Sequence, residues 1–403
     1  MSATTENSLI LVLNCGSSSI KFALFDASGE TVPQEPEWSG KVEGIGRESA
    51  TFRIAGQPAQ PLQLDPQLPH HAALETIRER VVAQLAGRTL RAVVHRVVHG
   101  GSKYFAPVRI DFEVLADLKS FIPLAPLHQP FALEAIEVLL ESRPDIAQVA
   151  CFDTAFHHTV PQVEQMLALP YDAWERGLRR YGFHGLSYEY QSLVLEQRYG
   201  PVARGKVIVA HLGSGASLCA MEGLHSVGTT MGFSALDGLM MGTRCGALDP
   251  GAVIYLMEIE KLSLEKVAHV LYHESGLLGV SGVSADPPVL LAQEGRQDAT
   301  GERIRAALAL YVRRIVREIG ALTAVLKGLD LLVFTAGIGE HSAELRQRIC
   351  AELGFVGPVL DSEANADNAS VISSAGSRIV VGVEPANEEW VAARHAALAV
   401  PLA

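Results

Sequence analysis

Residues 11–26 read LVLNCGSSSIKFALFD, and residues 206–223 read KVIVAHLGSGASLCAMEG. Each is an apolar run, a turn of small residues and a returning stretch, the pattern of a tight β-hairpin. In the first copy the run stops at Asn14, Gly16 to Ser19 form the turn, and Lys21 opens the return. A shift of 197 places Gly16 on Gly213, Ser17 on Ser214 and Ala23 on Ala220. The repeated order of signals predicts two related halves. A Gly/Ser turn suffices to reverse a chain. The same amides and hydroxyls, with Lys21 read as a buried counter-charge, also suit a turn wrapped around phosphate.

Outward from the first hairpin, β-rich signals continue at 38–42 and 50–54, and the Pro- and Gln-rich segment 56–71 reads as a surface loop. A helix is expected over 72–86. LRAVVHRVVHGG then has the continuous β-branched pattern of a strand buried on both faces. A helix over about 130–142 leads to IAQVACFDTAFH, a further buried strand ending in polar groups. In the second half, Ile304, Leu308, Tyr311, Ile315, Ile319, Leu322 and Leu326 recur at helical spacing within 303–327, with Arg313, Arg314 and Arg317 on a solvated face. LDLLVFTAGIGEHSAELRQRICAEL reads strand, glycine turn and helix, with Ser342 as N-cap. The fold class is α/β. Residues 1–150 are expected to form one domain, joined by a returning helix at about 384–403, and residues 151–383 a second.

A length of 403 residues favours two domains. Hydrophobic residues make up 48% and charged ones 19%, and no apolar run approaches bilayer-spanning length, so a membrane protein is disfavoured. The net charge of −12 without a basic run disfavours nucleic acid as partner. Cysteines at 15, 151, 219, 245 and 350 show no C-x-x-C pair, and no basic-then-apolar leader pattern stands at the start, so reduced thiols in a cytoplasmic location are expected.

Two familiar phosphate motifs fail. Residues 200–207, GPVARGKV, lack the final hydroxyl of a P-loop and precede a strand rather than a helix. GIGEHS from Gly337 stops at two glycines, short of the dinucleotide fingerprint, although strand, turn and helix are in the right order for backbone amides to meet phosphate. The chain instead carries three separate glycine turns.

Nine segments, in order, resemble the acetate kinases, relatives of sugar kinases, actin and heat-shock chaperone ATPases. They are LNCGSSSIKF, HRVVHGG, LAPLHQP, FDTAFH, YGFHGLS, HLGSGAS, MGFSALDGLMMGTRCGALDPG, FTAGIGEHS and NEEWVAAR, spanning residues 13 to 394. The resemblance implies two duplicated actin-like ATPase domains of ribonuclease H-like type with an interdomain cleft. It implies reversible, Mg²⁺-dependent transfer of phosphoryl from ATP to acetate, giving acetyl phosphate and ADP by direct in-line attack, in a homodimer. A propionate kinase or broad short-chain acyl kinase is the near alternative, and a non-catalytic nucleotide-binding protein of the same fold the distant one.

Phosphoryl transfer demands positioned cations and donors around the moving PO₃ group. Arg96 interrupts an apolar strand, and a buried arginine needs an anion, either an internal carboxylate or a ligand. The resemblance assigns it to the substrate carboxylate or the transferring phosphoryl group, assigns Arg244 and His184 to that phosphoryl group, and places Asp153 beside the carboxylate. It implies an acyl pocket from Val98, Leu127, His128, Phe183 and Ala235. Nucleotide contacts fall to Ser17, Ser19, Lys21, His211, Gly213, Ser214, Gly215, Asp286, Gly337, Gly339 and Glu340, and Mg²⁺ to Asn14 and Glu388. Three positions depart from the usual family pattern. Ser214 replaces asparagine, Ala235 replaces proline beside the acyl pocket, and Pro288 replaces a nucleotide-contacting arginine two residues after Asp286.

Overall fold

The computed structural model describes residues 7–47, 49–126 and 128–402; Leu127, expected in the acyl pocket, lies outside the described residues. The chain divides into two compact units, residues 1–155 with 387–403, and residues 156–386. Among the described residues, no helix is long and apolar enough to cross a membrane.

In the first unit, β1 (Ser8–Cys15), β2 (Ser19–Asp26), β3 (Trp38–Glu43), β4 (Ala50–Ile54), β5 (Gln60–Leu62), β6 (Thr89–Val97), β7 (Val108–Arg109) and β8 (Ala147–Phe152) form one sheet. Its order is β5-β4-β3-β2-β1-β6-β8-β7. β1 pairs antiparallel with β2 and parallel with β6, and β6 pairs parallel with β8. Parallel strands covered on both faces need apolar side chains in both directions, which is why β1 and β6 read as continuous hydrophobic runs. Leu9, Leu11, Leu13, Phe22 and Leu24 pack with Ile77 and Val81 of the helix Pro69–Leu85. That helix starts inside the segment expected to be loop, because Pro69 fits the first helical turn, where no backbone N–H is required. The loop also contributes β5.

The second unit holds β9 (Lys206–Leu212), β10 (Ala216–Glu222), β11 (His225–Thr229), β12 (Leu331–Thr335) and β13 (Val380–Val383) in the order β11-β10-β9-β12-β13. β9 pairs antiparallel with β10 and parallel with β12, and β12 parallel with β13. Order and directions repeat those of β3-β2-β1-β6-β8, so the duplication read from the two hairpins is a duplication of the sheet. The long helix runs Ala299–Leu326, capped by Asp298 accepting from the Gly301 N–H and ended by Lys327 in the left-handed region. Its buried side is the stripe read from the sequence. The segment 336–341 is a turn of helix rather than an open glycine loop, and Ser342, although next to the helix Ala343–Glu352, makes no side-chain cap bond.

Candidate active site

The carboxyl ends of parallel strands are where open α/β sheets expose backbone and place polar side chains. In the first unit β1, β6 and β8 end together, bringing Asn14, Arg96 and Asp153 to one edge. Arg96 donates from Nε and Nη2 to the two oxygens of Asp153, at 2.7 and 2.8 Å, and from Nη1 to Glu388 Oε2 at 2.6 Å. Glu388 is the first residue of the helix Glu388–Ala399, which begins one residue after the chain returns to this unit. The internal anion for Arg96 is therefore real, and doubled. With both carboxylates ionised the triad carries one net negative charge, and burial pushes the Glu388 carboxyl up to about 7 while Arg96 pulls it back. Lys21 sits opposite Asn14 in the hairpin and its charge is felt at Glu388, but the lysine is exposed rather than buried as expected. An outward tip keeps the ammonium hydrated.

Magnesium prefers one or two carboxylates, supplemented by phosphate and water. Asp153 and Glu388 outnumber their one guanidinium, and among the described residues the half-buried Asn14 amide makes no hydrogen bond. This donor set fits the ion.

The second unit has the opposite charge balance. Arg244 lies in the loop after β11, and its Nη1 donates to the Ala235 carbonyl at 2.8 Å. Among the described residues no carboxylate lies within ion-pair distance, and burial lowers its pKa. An uncompensated buried guanidinium is costly unless an anion comes to it. A side chain at Gly215 would meet Arg244 Nη2 and His184 Nε2, both 3.2 Å from where its Cβ would stand. Glycine thus lets both groups face the hairpin turn. His184 stacks on His211 with ring centroids 4.2 Å apart. Its backbone lies in the left-handed region, φ 58°, at the start of the helix Gly185–Tyr199, a conformation that a histidine adopts at some cost.

Sequence reasoning missed the groups that hold these histidines. Ser217 Oγ lies 2.8 Å from His184 Nδ1 and 2.5 Å from the Tyr188 hydroxyl, and Ser187 Oγ lies 2.8 Å from His211 Nδ1. Part of the signal was present. His211 and Ser217 are equidistant from the centre of HLGSGAS and pair across β9 and β10. Arg346, 1% exposed, was also missed. It donates to the carbonyls of Gly339 and Glu340 and to Asn365 and Asn368, fixing the end of the 336–341 turn.

The remaining expected residues fall as follows. Ser17 is exposed and Ser19 half-buried in the first hairpin, with Val98 and His128 half-buried in the same unit. In the second unit the Gly213 N–H donates to the Gly215 carbonyl across a turn whose Ser214 is exposed. Gly339 packs on the Ala210 carbonyl and Leu212 Cβ, and Gly337 is open. The Glu340 carboxylate accepts from the Ala386 N–H, so part of its bonding capacity serves the fold. Phe183 is buried, its carbonyl bonded to His157, and Ala235 is half-buried. Asp286 and Pro288 are exposed, with the neighbouring Ala285 carbonyl close to Gly242.

The Acetokinase family matches residues 9–394. An acetate kinase of Rhodopseudomonas palustris (strain TIE-1) is 46% identical over 394 residues, covering 96% of this chain and 97% of the relative. The crystal structure of Porphyromonas gingivalis acetate kinase superposes with a TM-score of 0.84 at 35% identity, covering 97% of this chain and 99% of that one. A propionate kinase from Francisella tularensis gives 0.87 at 33% identity, covering 96% and 98%. With a family match across nearly the whole sequence and a sheet built twice in the same order, this chain belongs to the acetokinase family.

Proposed function

We propose that the protein is an acetate kinase, transferring the γ-phosphoryl group of ATP to a carboxylate oxygen of acetate to give acetyl phosphate and ADP. The observation that carries the reading is Arg244, a half-buried guanidinium that has no carboxylate partner among the described residues and faces His184 across Gly215. A planar donor fork suits charge spread over phosphoryl oxygens. His184 adds a hydrogen bond there. Arg96 holds Asp153 and Glu388 in place, and these with Asn14 would bind Mg²⁺, which supplies charge neutralisation on the phosphates when bound. The hairpin turn at 213–215, the helical turn at 336–341 and Asp286 would receive the nucleotide, with Ser17, Ser19 and Lys21 also reaching the phosphates. Pro288 contributes no side-chain donor to it.

Val98, His128, Phe183 and Ala235 would form the acyl pocket. The small side chain of Ala235 favours some acceptance of propionate. Among the described residues the five cysteines form no disulfide, which suits the cytoplasm. Leu248, Ile254, Tyr255, Ile259 and Leu264 expose apolar surface around the helix Pro250–Glu258, which buries none of its residues, and this face fits a homodimer contact.

Hydroxylamine trapping with ATP and Mg²⁺ tests the reading. Acetohydroxamate should form fastest, propionohydroxamate more slowly and butyrohydroxamate little. ATP consumption without any hydroxamate would reject the acyl kinase assignment.

A further inference from the structure

The first turn of the helix Gly185–Tyr199 does more than carry His184 to the site. Tyr188, one helical turn after His184, is fully buried, and its hydroxyl meets Ser217 Oγ at 2.5 Å. Ser217, also fully buried, meets His184 Nδ1 at 2.8 Å. The opposite ring nitrogen, Nε2, is the one that faces Gly215 together with Arg244 Nη2. Tyr188 and Ser217 thus stand in series behind Nε2, the nitrogen that faces the turn.

His184 faces Arg244 at Gly215 and stacks on another imidazole. Its neutral form matters, and a neutral imidazole donates from one nitrogen only. Ser217 has one proton to give and two neighbours. A phenol is a stronger donor and a weaker acceptor than an aliphatic hydroxyl, so Tyr188 donates to Ser217. The serine proton then goes to His184 Nδ1, and the ring proton is left on Nε2, aimed at the turn. The reverse order would aim a lone pair at an incoming phosphoryl oxygen, which repels it.

We infer that Tyr188, acting through Ser217, is a positioning residue that holds His184 as its Nε2–H tautomer, so that this nitrogen donates to an oxygen of the transferring phosphoryl group. The inference rests on the acyl kinase reading for what the proton meets, but not for where the proton is.

The test is the ¹⁵N spectrum of the histidine-labelled full-length enzyme, with the His184 resonances assigned by their loss in His184→Gln. The wild type should show a protonated Nε2 and an unprotonated Nδ1. In Tyr188→Phe and in Ser217→Ala that pattern should give way to a tautomer mixture. The kcat for acetyl phosphate formation should fall about 10- to 100-fold in both, with KM for acetate and ATP within about twofold of the wild type. Tyr188→Phe keeps the buried ring, and Ser217→Ala reads the same link should that variant fold poorly. Any other wild-type form, an unchanged spectrum in the variants whatever their activity, or a changed spectrum with unaltered kcat would overturn the inference. Failure of the acyl kinase reading is distinct: no acyl phosphate would form while the spectrum stayed as expected.

Discussion

A Cβ at Gly215 would stand 3.2 Å from both Arg244 Nη2 and His184 Nε2, so both groups would have to give by a few tenths of an ångström. A φ outside the left-handed region leaves the backbone unstrained by alanine, so Gly215→Ala should fold and melt within a few degrees of the wild type. Its kcat should fall at least about 10-fold, since displacing a positioned donor by an ångström costs on the order of 100-fold. Wild-type kcat in that variant would remove the turn from the site. Glu388 offers a second test through pH. Its carboxyl is raised by burial to about 7, so it takes up a proton, and loses its value as a magnesium ligand, as pH falls through that region. The Mg²⁺ half-saturation concentration should rise several-fold between pH 8 and pH 6, and the dependence should flatten in Glu388→Gln. The same shift means that the folded chain binds this proton more tightly than the unfolded one. Its contribution to stability is therefore present in acid and lost as pH rises from the ordinary carboxylate range to about 7. At this scale the sequence displayed the charged residues, since arginine in an apolar strand stands out. Serine and tyrosine at positions 217 and 188 do not, because buried hydroxyls are common and only a partner gives them meaning.

The stretch of β6 from Arg91 to Arg96 is matched in length to the C-terminal helix. Arg96 binds Glu388 at one end of the helix, and five residues earlier Arg91 donates to the carbonyls of Ala397 and Val400 at the other. Five strand residues and eleven helix steps each span about 17 Å. Arg91 thus satisfies terminal carbonyls that a helix end leaves bare, while Asn387 caps the start and Trp390 bonds the Val32 carbonyl. Arg91→Ala should cost about 2 kcal/mol in stability, the scale of hydrogen bonds from a charged donor. It should also raise hydrogen exchange across residues 388–399 before any other helix of the first unit. Protection equal to the wild type there would show that the helix is held by packing alone. The sequence announced this helix and its return to the first domain. It did not announce Arg91 as the fastening, because the partner carbonyls lie more than 300 positions away. Helix starts were read to within a few residues: the helix expected from 72 begins at Pro69, and the stripe read over 303–327 lies in a helix that begins at Ala299. The 336–341 segment, read as a glycine turn, is a turn of helix whose end is secured by Arg346 from the helix that follows.

The whole molecule is one sheet plan used twice, and the hairpins at 11–26 and 206–223 carry enough of it to be read from the sequence. What the repeat could not show is that the two copies have diverged in charge. The first surrounds an arginine with carboxylates and suits a cation; the second leaves an arginine without one and suits an anion. That division is the core of the proposed chemistry, which requires Arg96 in one unit and Arg244 in the other to serve the same phosphoryl transfer. The direct measurement compares acetohydroxamate formation by Arg96→Gln, Arg244→Gln and the double variant, each shown to melt near the wild-type temperature. Each single change should lower kcat by on the order of 100-fold or more. Residues acting on one transition state are strongly non-additive, so the double variant should be only slightly slower than the worse single variant. Losses that multiply would mean that the two arginines act independently, and would contradict the account.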